Sequence, residues 1–184
     1  YPSMDDVAEV KTGLQTGDND RFVRKWWEIS RDEIDDRYAR IQMSGTNSIY
    51  YDYPEDYLDW QDNGAIIKEF EGSYPRNTDY YFKSGVTFRD FGNYLTGRLH
   101  KNNMIHSEVS HFICSETHSE EILLAHLNST LHRFVIHGLN PSMHHKPGDG
   151  QRLPIKQELD HEEGLTSLVK EGLEKRLELS QLKE

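Results

Sequence analysis

Hydrophobic and polar positions follow a regular period in only a few stretches of this chain, and those stretches predict its elements. Residues 7–11 and 22–29 alternate with a period of two and predict β-strands. In the second, Phe22, Arg24, Trp26 and Glu28 share one face, with Val23, Lys25, Trp27 and Ile29 on the other. Between them lies the polar run Gly13-Leu14-Gln15-Thr16-Gly17-Asp18-Asn19. It predicts their connection, because glycine permits positive φ and Asp and Asn tolerate left-handed turns. Residues 30–59 show little periodicity and read as mostly irregular, and Asp62 or Asn63 predicts the cap of a short helix through Ile66, Ile67 and Phe70, ended by Gly72.

Residues 80–83 and 86–89, joined at Ser84-Gly85, have the composition of a hairpin. Residues 104–115 alternate again and place Ile105, Ser107, Val109, His111 and Ile113 on one face. Thr117-His118-Ser119-Glu120 has a capping-box pattern that predicts a helix to about Asn128. A second short helix or strand is predicted over 131–136, and a loop over 141–150. From Leu159 onward, Leu165, Leu168, Val169, Leu173, Leu177 and Leu182 recur at helical spacing and predict an amphipathic helix of about five turns. Its acidic polar face does not suit an anionic membrane. The expected fold class is α+β: a mixed or antiparallel sheet with a few packed helices and a C-terminal amphipathic helix. Residues 1–156 form the expected domain and residues 157–184 a helical tail.

Composition adds limits. The 184 residues are enough for one domain with a core, and 10 Tyr, 7 Phe and 3 Trp supply aromatic mass to organise it. The single cysteine, Cys114, excludes an intrachain disulfide and a cysteine zinc cluster, and its setting in His111-Phe112-Ile113-Cys114 reads as a buried structural thiol. With no signal peptide and no long apolar span, the expected location is the cytoplasm, without a membrane partner. No HExxH or paired Cys/His spacing and no nuclease-type carboxylate pattern is present, so no metal ligand and no catalytic residue is assigned.

Charge argues against a nucleic-acid partner at first sight, because the formal net charge is −11. It is uneven, however. Residues 1–64 carry 7 basic and 15 acidic side chains, whereas residues 65–156 carry 10 and 9, together with nine of the ten histidines. A DNA face therefore draws on the cluster Arg21, Arg24 and Lys25 and on the middle section, where Lys83, Arg98 and Lys101 are candidate phosphate contacts. The glycine loop adds Thr16, Asp18 and Asn19. In Arg76-Asn77, arginine can bind guanine and asparagine adenine through paired hydrogen bonds. From local chemistry the glycine loop reads first as a plain structural turn, Arg76-Asn77 reads as turn or contact alike, and the acidic remainder reads as a solvated outer face.

Six blocks in one order sharpen this. They are residues 13–28, Trp60-Gln61-Asp62-Asn63-Gly64, residues 76–88, Ile122-Leu123-Leu124-Ala125-His126-Leu127-Asn128-Ser129, Leu139-Asn140-Pro141-Ser142, and Gly148-Asp149 leading to Leu153-Pro154-Ile155-Lys156. In that order they resemble the target-recognition region of PglX-type adenine-specific DNA methyltransferases of BREX phage-defence systems, and of related type IIG restriction-modification enzymes. Residues 97–116 depart from the family in being polar and histidine-rich where it carries a hydrophobic strand.

The resemblance implies a domain that recognises double-stranded DNA beside a catalytic methyltransferase domain of the same parent chain. The parent would use S-adenosylmethionine to methylate adenine N6. This chain has neither the glycine-bearing cofactor loop nor the Asn/Asp-Pro-Pro-Tyr/Phe tetrapeptide; its nearest match, Asn140-Pro141-Ser142-Met143, lacks the second proline and the aromatic. The expectation is therefore a recognising fragment without its own cofactor, to which Tyr1 in place of an initiator methionine adds. The alternative is a non-catalytic protein-interaction module that uses its acidic surface.

Overall fold

The computed structural model describes residues 1–43, 48–156 and 162–181. In chain order the elements are β1 (Glu9–Lys11), β2 (Leu14–Gln15), α1 (Asn19–Phe22), β3 (Val23–Lys25), β4 (Tyr38–Gln42), β5 (Asp56–Asp59), α2 (Gln61–Glu69), β6 (Tyr74–Pro75), β7 (Gly85–Arg89), β8 (Gly97–His100), β9 (Met104–His106), β10 (Ser110–Cys114), α3 (Glu120–Asn128), α4 (Thr130–Leu139), α5 (Pro147–Gln151) and α6 (Glu162–Gln181). Two four-stranded sheets result. The first, ordered β1-β10-β7-β8, is antiparallel throughout, and the second, β3-β5-β4-β9, is mixed because β4 and β9 run parallel. A short ladder, β2-β6, stands apart from both. This is an α+β fold.

Each sheet has its own core. Val86, Phe88 and Ile113 of the first sheet pack with Leu123, Leu124 and Leu127 of α3, Ile136 of α4, and Val169 and Leu173 of α6. The second core gathers Leu14, Phe22, Ala39, Ile41, Leu58, Ile67, Tyr81 and Ile105. Helix α3 forms where the sequence predicts it, but its cap is Ser119, whose hydroxyl accepts from the Ile122 N–H, and not Thr117, whose hydroxyl pairs with His118 Nδ1. Helix α6 turns Val169 and Leu173 inward but leaves Leu168 exposed, and Leu182 lies outside the described residues. Among the described residues no helix is long and apolar enough to cross a membrane.

Several predicted elements come out differently, each for a local reason. The strand expected over 22–29 shrinks to β3. Asp18 caps a helical turn before it, accepting from the Arg21 N–H at 3.0 Å, and the Glu28 carboxylate accepts from the Lys25 N–H at 2.6 Å and closes a 3-10 turn after it. The glycine loop is not a hairpin connection, since β1 pairs with β10 and β3 with β5. Residues 80–83 form no strand, a 3-10 turn over Thr78–Tyr80 ending where they begin, and the partners of β7 are β8 and β10. The alternation over 104–115 is cut after Ser107, whose N–H still bonds the Gln42 carbonyl of β4; its own carbonyl then accepts from the Ser110 N–H and closes a turn, so β9 and β10 enter different sheets. The stretch expected to be irregular, 30–59, holds β4 and β5. In α2, Asp62, Asn63 and Gly64 all have left-handed backbone, so the regular helix begins only after Gly64. Residues 131–136 fall inside α4, and the loop expected over 141–150 contains most of α5.

Candidate nucleic-acid interface

The two polar loops singled out in the sequence meet in space. Ladder β2-β6 sets Leu14 opposite Pro75 and Gln15 opposite Tyr74, and the Ser73 hydroxyl donates to the Gln15 carbonyl at 3.2 Å. Asn77, itself left-handed at φ 54, donates from Nδ2 to the Thr12 carbonyl at 2.8 Å. Glycine is required twice in this join. A Cβ on Gly17, which has φ +73, would lie 2.2 Å from the Gly72 carbonyl oxygen, and one on Gly13 would lie 1.8 Å from that of His106. The loop is thereby pressed onto its neighbours with no space for a side chain.

A line of cations resting on aromatic rings follows this join. The Arg21 guanidinium sits over Phe22 and Phe70, at 5.0 and 5.1 Å from the ring centres. Arg76 covers Tyr74 at 5.7 Å, while Lys11 and Lys83 both lie over Tyr80, at 5.2 and 4.8 Å. Such contacts hold a cation at the surface without removing its charge. Lys11 also pairs with Glu9. Within the loop, the Thr16 hydroxyl donates to Asn19 Oδ1, leaving the Asn19 amide N–H2 as its available donor.

Beside the loop is a hollow of about 280 Å³ lined by Thr16, Gly17, Asp18, Asn19, Ser107 and Glu108. Burial pushes the Glu108 carboxyl up, partly offset by Arg76. The hollow thus offers hydrogen-bond acceptors, and the rim offers cations.

Six of the eleven predicted residues belong to this strip, Asp18, Asn19, Arg21, Arg76, Asn77 and Lys83; Thr16 lies buried beneath it, its hydroxyl donated to Asn19. The others do not belong to it. Arg24 donates from Nη1 to the carbonyls of Asp20 and Val23, at 2.7 and 2.8 Å, and so is held along its own backbone. Lys25 pairs with Asp56 at 3.0 Å and Glu55 at 3.7 Å. Lys101 covers Tyr51 in another part of the surface.

Arg98 requires a correction. Its side chain is wholly buried and ion-paired with Asp52 at 3.4 Å, so it presents nothing to a phosphate. Burial draws its pKa down to about 10, which leaves it charged at neutral pH.

No protein-family model matches this chain, and neither does any curated protein. Its chemistry rests on its own geometry. Sequence reasoning missed Lys11, Tyr74 and Tyr80. Nothing local marks Lys11, since its ring partner is supplied by the turn after β6. Among the described residues, no group of three or more His, Cys, Asp or Glu is placed to hold a metal ion.

Proposed function

We propose that this chain is the DNA sequence-recognition domain of a larger adenine-N6 methyltransferase of restriction-modification or phage-defence type. The observation that carries the reading is the union of the Gly13–Asn19 loop and the Arg76-Asn77 turn into one surface strip with cations spaced along it. Lys11, Arg21 and Lys83 hold phosphates, which position a duplex without reading it. Asp18, Asn19 and Glu108 meet base edges, where carboxylates accept from the amino group of cytosine and an asparagine amide pairs with adenine. Arg76 lies between these groups and serves guanine or a phosphate. The methyl donor S-adenosylmethionine belongs to the catalytic domain of the parent chain, and no residue here is assigned to it.

Titration with duplex DNA over a salt series tests the reading. Lys11→Ala, Arg76→Ala and Lys83→Ala together should weaken binding and flatten the dependence of log affinity on log salt by about 0.9 for each phosphate no longer neutralised. An unchanged slope removes the strip from the interface. The −11 net charge and the pairing of Lys25 with Glu55 and Asp56 favour a second reading, a protein-interaction module with an acidic face. That reading predicts no duplex binding even at low salt.

A further inference from the structure

A second cleft, away from the strip, has a different construction. It encloses about 1000 Å³ between the β4-β5 side of the second sheet and α6, at the upper end of the size range for small-molecule sites. Trp26, Trp27, Tyr51 and Tyr57 supply ring surface, and Arg31 and Arg176 supply charge. Trp26 is 46% exposed and Trp27 60%, which leaves large apolar faces uncovered on the cleft wall. Arg176 reaches in from α6 and is fixed there, donating from Nε to the Tyr51 carbonyl at 3.3 Å and from Nη2 to the Ser48 hydroxyl.

The charges decide what fits. Each carboxylate lining the cleft already serves a cation: Asp35 pairs with Arg40, Asp52 with the buried Arg98, and Glu55 with Lys25. Among the described residues no carboxylate pairs with Arg31 or Arg176. Lys101 adds positive charge beside the cleft, through its seat over Tyr51. Exposed indole faces beside unmatched guanidinium groups are complementary to a flat ring that carries an anion.

We propose that this cleft binds a nucleotide unit, its base stacked on one indole of the perpendicular pair Trp26 and Trp27 and bordered by the other, and its phosphate held by Arg31 and Arg176. Stacking on an aromatic ring accepts any base, and a guanidinium matches phosphate oxygens in pairs. The unit comes either from a free mononucleotide or from an unpaired stretch of a nucleic-acid strand. The site is independent of the strip.

Isothermal titration of the full chain with AMP, adenosine, inorganic phosphate, a single-stranded oligonucleotide and a duplex tests it. AMP should bind more tightly than adenosine or phosphate alone. Competition by the single strand assigns the source to a strand, and its absence assigns it to the free nucleotide. Trp27→Ala and Arg31→Ala should each weaken binding about tenfold, while melting temperature stays unchanged because both side chains are exposed. The triple substitution in the strip should leave AMP affinity as it is, so the two sites fail separately. Absence of saturable binding by both AMP and the single strand, or wild-type affinity in both cleft variants, overturns the proposal.

Discussion

The surface strip and the seam directly beneath it use the same pairing, a nitrogen group against an aromatic ring, with opposite results for charge. Outside, Lys11 and Lys83 lie over the Tyr80 ring, in contact with water, and the Glu9 carboxylate raises the pKa of Lys11. The edge of that ring meets Phe112 below at 6.4 Å. Phe112 in turn stacks on His106 at 4.7 Å and meets His100 at 5.2 Å. There burial dominates. His100 and His106 are wholly buried, and the two ring nitrogens of His106 have no hydrogen-bond partner. Desolvation brings His100 to about 4 and His106 to about 3, and His111, packed on Phe88, to about 4. A ring face therefore tolerates a cation only while water covers its other side; with water removed, the imidazole stays neutral.

Acid should break this contrast with the largest effect. All three histidines have folded pKa values below the ordinary value of about 6.5, so between pH 6.5 and about 4 the unfolded chain binds more protons and stability falls as pH falls. Above pH 6.5 they contribute no slope. Each can add up to about 1.4 kcal/mol per pH unit, or about 4 kcal/mol for the three, measured as urea-unfolding free energy between pH 6 and 5. Because His126 and His145 are also held low by burial and add to the measured slope, His106→Phe should lower it by up to about 1.4 kcal/mol per pH unit. An unchanged slope would mean that the imidazole is already hydrated in the folded chain.

Gly13→Ala comes next. Its methyl group would meet backbone of the seam at His106, which cannot move as a side chain does, so stability should fall by about 3 kcal/mol at neutral pH. The same denaturant titration reads it, and a loss under 1 kcal/mol would show that strip and seam separate easily. Tyr80→Leu removes the ring shared by both regions and should cost about 1 to 2 kcal/mol, with little change in the acid slope. The smallest effect belongs to Glu9→Gln, which unpairs Lys11 at the surface. It should shift stability by less than about 1 kcal/mol, a shift that vanishes in high salt.

The contrast also explains what could be read from the sequence. Helix α3 was legible because its cap and its apolar period are both local, and α6 because its leucine spacing is. Strands β4 and β5 were not, since Ala39, Ile41 and Leu58 acquire meaning only through partners far along the chain. Alternation ran straight through Ser107 because period alone cannot show a change of sheet. The loop and Arg76-Asn77 were found by residue type, but that they touch was not. Arg98 looked like any surface arginine until Asp52 and strand β8 took it inside.

Neither sheet can close early in synthesis. The β1 strand needs β10, and β4, paired on one side with β5, needs β9 on the other, so residues 9–11 and one edge of residues 38–42 must wait for residues 110–114 and 104–106. At about 5 to 20 residues per second the ribosome holds these edges unpaired for several seconds, with Val10 and Ile41 uncovered. Distant pairing of this kind folds slowly even when the whole chain is free. For a cell making this protein, the hazard lies in those seconds, and a chaperone that shields residues 9–103 until β9 and β10 emerge would raise yield without touching the finished fold.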